Sequence, residues 1–156
     1  VDLYVTNFAS GTAVGASINR LYRNEGSNTF TDVAGQTGVA DSRNSFDSAW
    51  VDYDGDNDLD LYVVNIVEQD QLYRNNGTNF SRVTSSAGVN VISQGDETAV
   101  AWADYDTDGN PDLAVSGRDA FWISVLQLYK NRPAGVLSLD SNFNLNVFST
   151  VDGALD

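Results

Sequence analysis

The sequence predicts an all-β fold of β-propeller-type repeats. It has about three four-stranded blades, forming a partial propeller or one completed by oligomerisation. Three observations predict it. Short phrases recur in a fixed order, at spacings of about 51 to 58 residues, a period that suits a four-stranded blade better than a helical repeat. The recurring segments are rich in Val, Leu, Tyr and Phe and are bounded by Gly, Asn, Asp and Ser, as strands are. No segment sustains a helical period.

The phrases divide the chain. DLYVTN (Asp2–Asn7) returns as DLYVVN (Asp60–Asn65) and, more loosely, as DLAVSG (Asp112–Gly117). LYRN (Leu21–Asn24) returns at Leu72–Asn75 and as LYKN at Leu128–Asn131. FTDVAGQTGVAD (Phe30–Asp41) echoes in FSRVTSSAGVN (Phe80–Asn90). Residues 1–44 therefore form a first repeat that lacks its opening strand and acidic loop. Residues 45–97 form a second, and residues 98–147 a third with a divergent C-terminal half. Residues 148–156 read as the start of a next blade.

In the second repeat the expected strands are Ser48–Tyr53, Leu59–Asn65, Gln69–Asn75 and Asn79–Thr84. The stretch NNGTN (Asn75–Asn79) turns between the last two, since Asn and Gly tolerate positive φ. Trp50 and Trp102 hold matching positions before the acidic loops, where they are expected to pack blade against blade, with sugar stacking as the alternative.

WVDYDGDNDLD (Trp50–Asp60) returns as WADYDTDGNPD (Trp102–Asp112). In the second copy Asp104, Asp106, Asp108 and Asp112 fall at positions 1, 3, 5 and 9, with Gly109 at position 6 for a sharp turn. The carbonyl of Asn110, at position 7, can point inward. Alternate carboxylates converge when such a backbone curls, and hard oxygen donors of this number suit calcium better than magnesium. The first copy keeps Asp52, Asp54, Asp56 and Asp60 at positions 1, 3, 5 and 9. Asn57 takes position 6, and Asp58 stands at position 7 with a spare side chain. An EF-hand needs a bidentate Glu at position 12, but Val63 and Val115 stand there. The alternative is a solvated acidic turn, and two equivalent loops argue against it.

Together these phrases resemble the FG-GAP/VCBS repeats, the calcium-bearing blades of integrin-alpha-like β-propellers and of many secreted bacterial proteins. The resemblance covers nearly the whole chain and is specific through residue 117. It implies one calcium per loop, hence about two ions per chain, in the hairpin joining a blade's first two strands. By position the ligands would be Asp52, Asp54, Asp56, Asp58 and Asp60, and Asp104, Asp106, Asp108, Asn110 and Asp112. The final FSTVDGALD (Phe148–Asp156) keeps Asp152, Gly153 and Asp156 but has Phe148 and Thr150 at positions 1 and 3. Strong calcium binding is not expected there.

Composition bounds the function. The net charge is −14, from 22 acidic and 8 basic residues, which repels nucleic acid and anionic membranes. Two divalent ions would bring it to −10. With neither histidine nor cysteine, the chain lacks the usual general base, thiol nucleophile and zinc ligands. No apolar run approaches a membrane span. The expected function is a non-catalytic, secreted or cell-surface structural or adhesion module. The alternatives are a carbohydrate-binding propeller, with Tyr4, Tyr62, Trp122 and the Asn-rich turns as stacking faces and hydrogen-bond donors where the favoured reading makes them core or blade-packing residues, and an accessory domain of a polysaccharide-active enzyme. Protein or glycan ligands fit either reading. Three repeats do not close a propeller. The chain is expected to be part of a longer one, to pair into a six-bladed ring, or to join head to tail in a fibre. Asn76 and Asn79 head formal glycosylation sequons.

Overall fold

The computed structural model describes residues 2–8, 18–66, 68–89, 99–118 and 124–143. Three antiparallel sheets follow one another along the chain. The first contains β1 (Leu3–Val5), β2 (Arg20–Gly26) and β3 (Thr29–Asp32), followed by a single helical turn, α1 (Ala34–Thr37). The second contains β4 (Ser45–Val51), β5 (Asp60–Asn65), β6 (Gln71–Asn75) and β7 (Phe80–Arg82). The third contains β8 (Ala99–Ala103), β9 (Asp112–Arg118), β10 (Ser124–Arg132) and β11 (Val136–Leu139). Each strand pairs with its sequence neighbour, so every sheet is a simple meander. This is the up-and-down blade of a β-propeller-type repeat, and the fold is all-β as the sequence predicts.

Differences from the expected strand limits have local causes. β4 ends at Val51 rather than Tyr53 because the Asp52 carboxylate accepts the N–H groups of Gly55 and Asn57, curling the chain out of the sheet. β6 begins at Gln71 because Asp70 is used as a clamp, accepting the Asn65 N–H at 2.8 Å and the Tyr62 hydroxyl at 2.7 Å. α1 was not indicated by any period. It is a turn whose entry is held by the Ala34 N–H on the Asp32 carboxylate, and Gly38 ends it at φ 86°. The stretch after Asn131 departs from the repeat pattern, yet β11 forms there, with Leu137 opposite Asn131 as Phe80 is opposite Asn75.

The alternation of side chains in a strand builds the core between sheets. Leu61 and Val63 of β5 face the first sheet and pack with Tyr4, Leu21, Val33 and Val39. Tyr62 and Val64 of the same strand face the third sheet and pack with Leu113, Val115, Tyr129 and Leu137. The central strand is thus buried on both faces, which explains its unbroken apolar run.

Trp50 meets Tyr4 edge-on at 6.4 Å and Phe80 at 6.1 Å, and Trp102 meets Tyr62 edge-on at 6.0 Å. Both tryptophans pack blade against blade. Tyr4 and Tyr62, weighed as sugar-stacking faces, are core residues at 7% and 0% exposure. The core reading therefore holds and the stacking alternative is corrected for these two: a stacking platform must present its ring to the ligand. Trp122 and residues 148–156 lie outside the described residues. Among the described residues, no helix is long and apolar enough to cross a membrane.

On the outer face of the first sheet Leu3 and Phe30 are 53% and 49% exposed. Their counterparts in the second sheet, Leu61 and Phe80, lie against the first sheet.

Candidate metal centres

Both acidic loops join the first two strands of a sheet, β4 to β5 and β8 to β9. Their curl has the same source. The first aspartate accepts two N–H groups from its own loop: Asp52 from Gly55 and Asn57 at 2.9 and 3.0 Å, Asp104 from Asp108 and Gly109 at 3.0 and 2.9 Å. Two residues per loop adopt left-handed backbone. They are Gly55 and Asn57 (φ 77° and 71°) in the first, and Thr107 and Gly109 (φ 61° and 93°) in the second. The expectation that position 6 turns left-handed describes both loops. The second left-handed residue, at position 4, was not anticipated.

The ninth position anchors each loop to its sheet. Asp60 accepts the Asn75 N–H at 2.7 Å and the Tyr53 N–H at 3.1 Å. Asp112 accepts the Asn131 N–H at 2.8 Å and the Tyr105 N–H at 3.1 Å. Both aspartates are essentially inaccessible. The asparagines that close LYRN and LYKN were not assigned a role in the sequence. Their recurrence at a fixed place was the signal that could have found them.

Oxygens of Asp52, Asp54 and Asp60 lie within 4.8 Å of one another, as do oxygens of Asp104, Asp106 and Asp108. Ligands about 2.3–2.6 Å from a shared calcium would be separated by up to this much. Asp56, Asp58 and Asp112 stand outside these two triads. Asp56 accepts the Asp58 N–H, and Asp108 accepts both the N–H and the side-chain amide of Asn110, which holds its carboxyl below the usual range.

One further detail separates these loops from solvated turns. In each, the position-three aspartate leaves one carboxylate oxygen, Asp54 Oδ1 and Asp106 Oδ1, buried without a hydrogen-bond partner. Buried carboxylate oxygens are seldom left in that state. Burial, with the Asp54 and Asp56 charges adding to it, pushes the Asp60 carboxyl up to about 6 against the hydrogen bonds from Asn75 and Tyr53. Burial and then Asp56 raise Asp54 as well. A bound cation reverses this direction, since an opposite charge favours the ionised form. The donor set of hard oxygens therefore fits a calcium ion.

The two loops differ in their neighbours. Lys130 Nζ stands 3.4 Å from Asp106 and 3.6 Å from Asp140, and 5.3 Å from the centre of the Tyr105 ring. The Tyr105 hydroxyl donates to Asp140 at 2.7 Å. Within the first loop, described ion pairs to Asp52, Asp54, Asp56, Asp58 or Asp60 are absent.

A sequence model of the FG-GAP-like repeat matches residues 1–63 and again residues 60–115. Each match runs from one DLYV-type strand to just past the next acidic loop. No curated protein matches the chain.

Proposed function

The chain belongs to the FG-GAP-like repeat family, and on that premise we propose that it is a calcium-stabilised, non-catalytic module of an extracellular structural or adhesion protein. The observation that carries this reading is the pair of equivalent acidic loops, each with an unpartnered, buried carboxylate oxygen at position three. One ion per loop would engage Asp52, Asp54 and Asp60 in the first and Asp104, Asp106 and Asp108 in the second. Asp56, Asp58, Asn110 and Asp112 complete the candidate sets. The ion supplies charge neutralisation and a fixed hairpin. The chain's own residues curl the loops, anchor them to the third strand of each sheet, and bury their last aspartate.

Open loops of this kind suit extracellular calcium, on the order of 10⁻⁴–10⁻³ M. That range supports a working place outside the cell or on its surface. The exposed Leu3 and Phe30 face supports continuation of the stack by a further sheet, from a longer propeller or another copy. Thermal unfolding tests the stabilising role. Addition of EGTA should lower the melting temperature by several degrees and about 2 mM calcium should restore it. An unchanged melting temperature would refute it.

A further inference from the structure

The two acidic loops share a curl but not their company. Lys130 of β10 holds its Nζ 3.4 Å from the Asp106 carboxylate, a member of the second oxygen triad. The same carboxylate has its other oxygen, Oδ1, buried without a partner. The counterparts of Lys130 point elsewhere. Arg74 of the second sheet gives its guanidinium to Asn76 Oδ1 at 3.4 Å, and Arg23 of the first pairs with Glu25 at 2.7 Å. Among the described residues, a cation stands within ion-pair distance of a triad carboxylate at the second loop and not at the first.

Lys130 also has a second partner. Its Nζ is 3.6 Å from the carboxylate of Asp140, which follows β11 and donates its N–H to Leu128 O at 2.8 Å. Val33 and Val83 make the same bond in the other sheets, to Leu21 O and Leu72 O, and their side chains pack in the apolar core. A carboxylate at this place is therefore a departure of the third sheet. It is held firmly: Oδ1 accepts the Asn142 N–H at 3.0 Å, and Oδ2 accepts the Tyr105 hydroxyl at 2.7 Å. Tyr105 is position 2 of the second loop, tied through its own N–H to Asp112. One ammonium thus lies between a candidate calcium ligand and a carboxylate fixed outside the triad.

We propose that Lys130 sets the calcium affinity of the second loop by moving between Asp106 and Asp140, so that the second loop fills at higher calcium than the first. In the metal-free loop the ammonium rests on Asp106 and offsets the crowding of like charges. With calcium bound the ammonium is repelled from Asp106 and rests on Asp140, beside the face of the Tyr105 ring that is 5.3 Å away. The loop binds its ion best with the ammonium on Asp140. Its apparent affinity is therefore reduced by the fraction of time the ammonium spends on Asp106. The inference rests on the calcium reading and adds to it a difference between the loops that one side chain controls.

The test is a low-salt calcium titration of the full chain carrying Asp54→Asn, in which the second loop alone reports. In that background Asp140→Asn should weaken calcium by at least about threefold, because the ammonium loses its alternative place, and Lys130→Gln should tighten it by about three- to tenfold. Added to Lys130→Gln, Asp140→Asn should weaken it by less than about 1.5-fold, since the two act through one contact. In the chain without substitutions, hydrogen exchange at the Gly55 and Asn57 amides should slow at a calcium concentration at least about threefold below that needed at Asp108 and Gly109, and Lys130→Gln should narrow the gap. If Asp140→Asn weakens calcium equally in both backgrounds, or not at all, or if the two loops gain protection together, the inference is overturned while the calcium reading stands. If neither loop binds calcium, the calcium reading falls and the inference falls with it.

Discussion

Gly88 of the second sheet lies directly beneath the backbone carbonyl of Leu137 in the third, so that a Cβ at Gly88 would run into that oxygen. The first sheet repeats the relationship, with Gly38 under the carbonyl of Phe80. Each AGV- or TGV-type turn is therefore a seat for the last strand of the next sheet, reinforced here by the Leu137 N–H on Ala87 O at 2.7 Å.

Gly88→Ala should destabilise the protein by roughly 2–4 kcal/mol, the sum of a left-handed backbone penalty and a clash with immovable main chain. Gly26 has the same φ, 83°, but open space around it. Gly26→Ala should cost only about 1 kcal/mol. Urea midpoints of the two variants read the difference.

Thr107 is a β-branched residue at φ 61°, where Gly55 stands in the other loop. Relief of that strain outweighs the short Thr107 hydroxyl bond to Asp106 O. Thr107→Gly should stabilise by roughly 0.5–1 kcal/mol, and Gly55→Thr should destabilise by a similar amount. Thermal melts in calcium check both.

The Asp60 carboxyl is raised from 3.8 to about 6. The folded protein therefore holds this proton more tightly than the unfolded chain does. In EGTA the resulting stability is complete below pH 3.8 and is lost as pH rises through about 6. The melting temperature of the metal-free protein should fall across that window. Asp60→Asn should flatten the slope, even though its own melting temperature is lower from loss of an acceptor for Tyr53 or Asn75.

Lys130 stands beside the second loop as a tethered cation. Lys130→Gln should tighten calcium at that loop by about three- to tenfold at low salt, and by less at high salt. The first loop should not change. Calorimetric titration at two ionic strengths separates the sites.

The repeats, the strands and the two loops were legible because each leaves a pattern in one dimension: a recurring phrase, a period of two, carboxylates at alternate places. What was not legible depends on contacts between distant residues. The Asn75 N–H reaches Asp60 across 15 positions, and the Asn131 amide reaches Tyr53 across 78. Thr107 carried no turn signal, because its conformation is imposed by the Asp108 and Gly109 N–H groups that Asp104 gathers just beyond it. Tyr4 and Tyr62 read as core residues with ligand stacking as the alternative, and the choice stayed open because an aromatic residue on a strand does not say whether another sheet covers it.

The most direct measurement is the calcium stoichiometry of the full chain and of two variants by isothermal titration calorimetry. Two ions should bind the native chain, and Asp54→Asn and Asp106→Asn should each remove one while the fold persists. Absence of binding up to about 10 mM calcium, or a stoichiometry that neither substitution alters, would contradict the account.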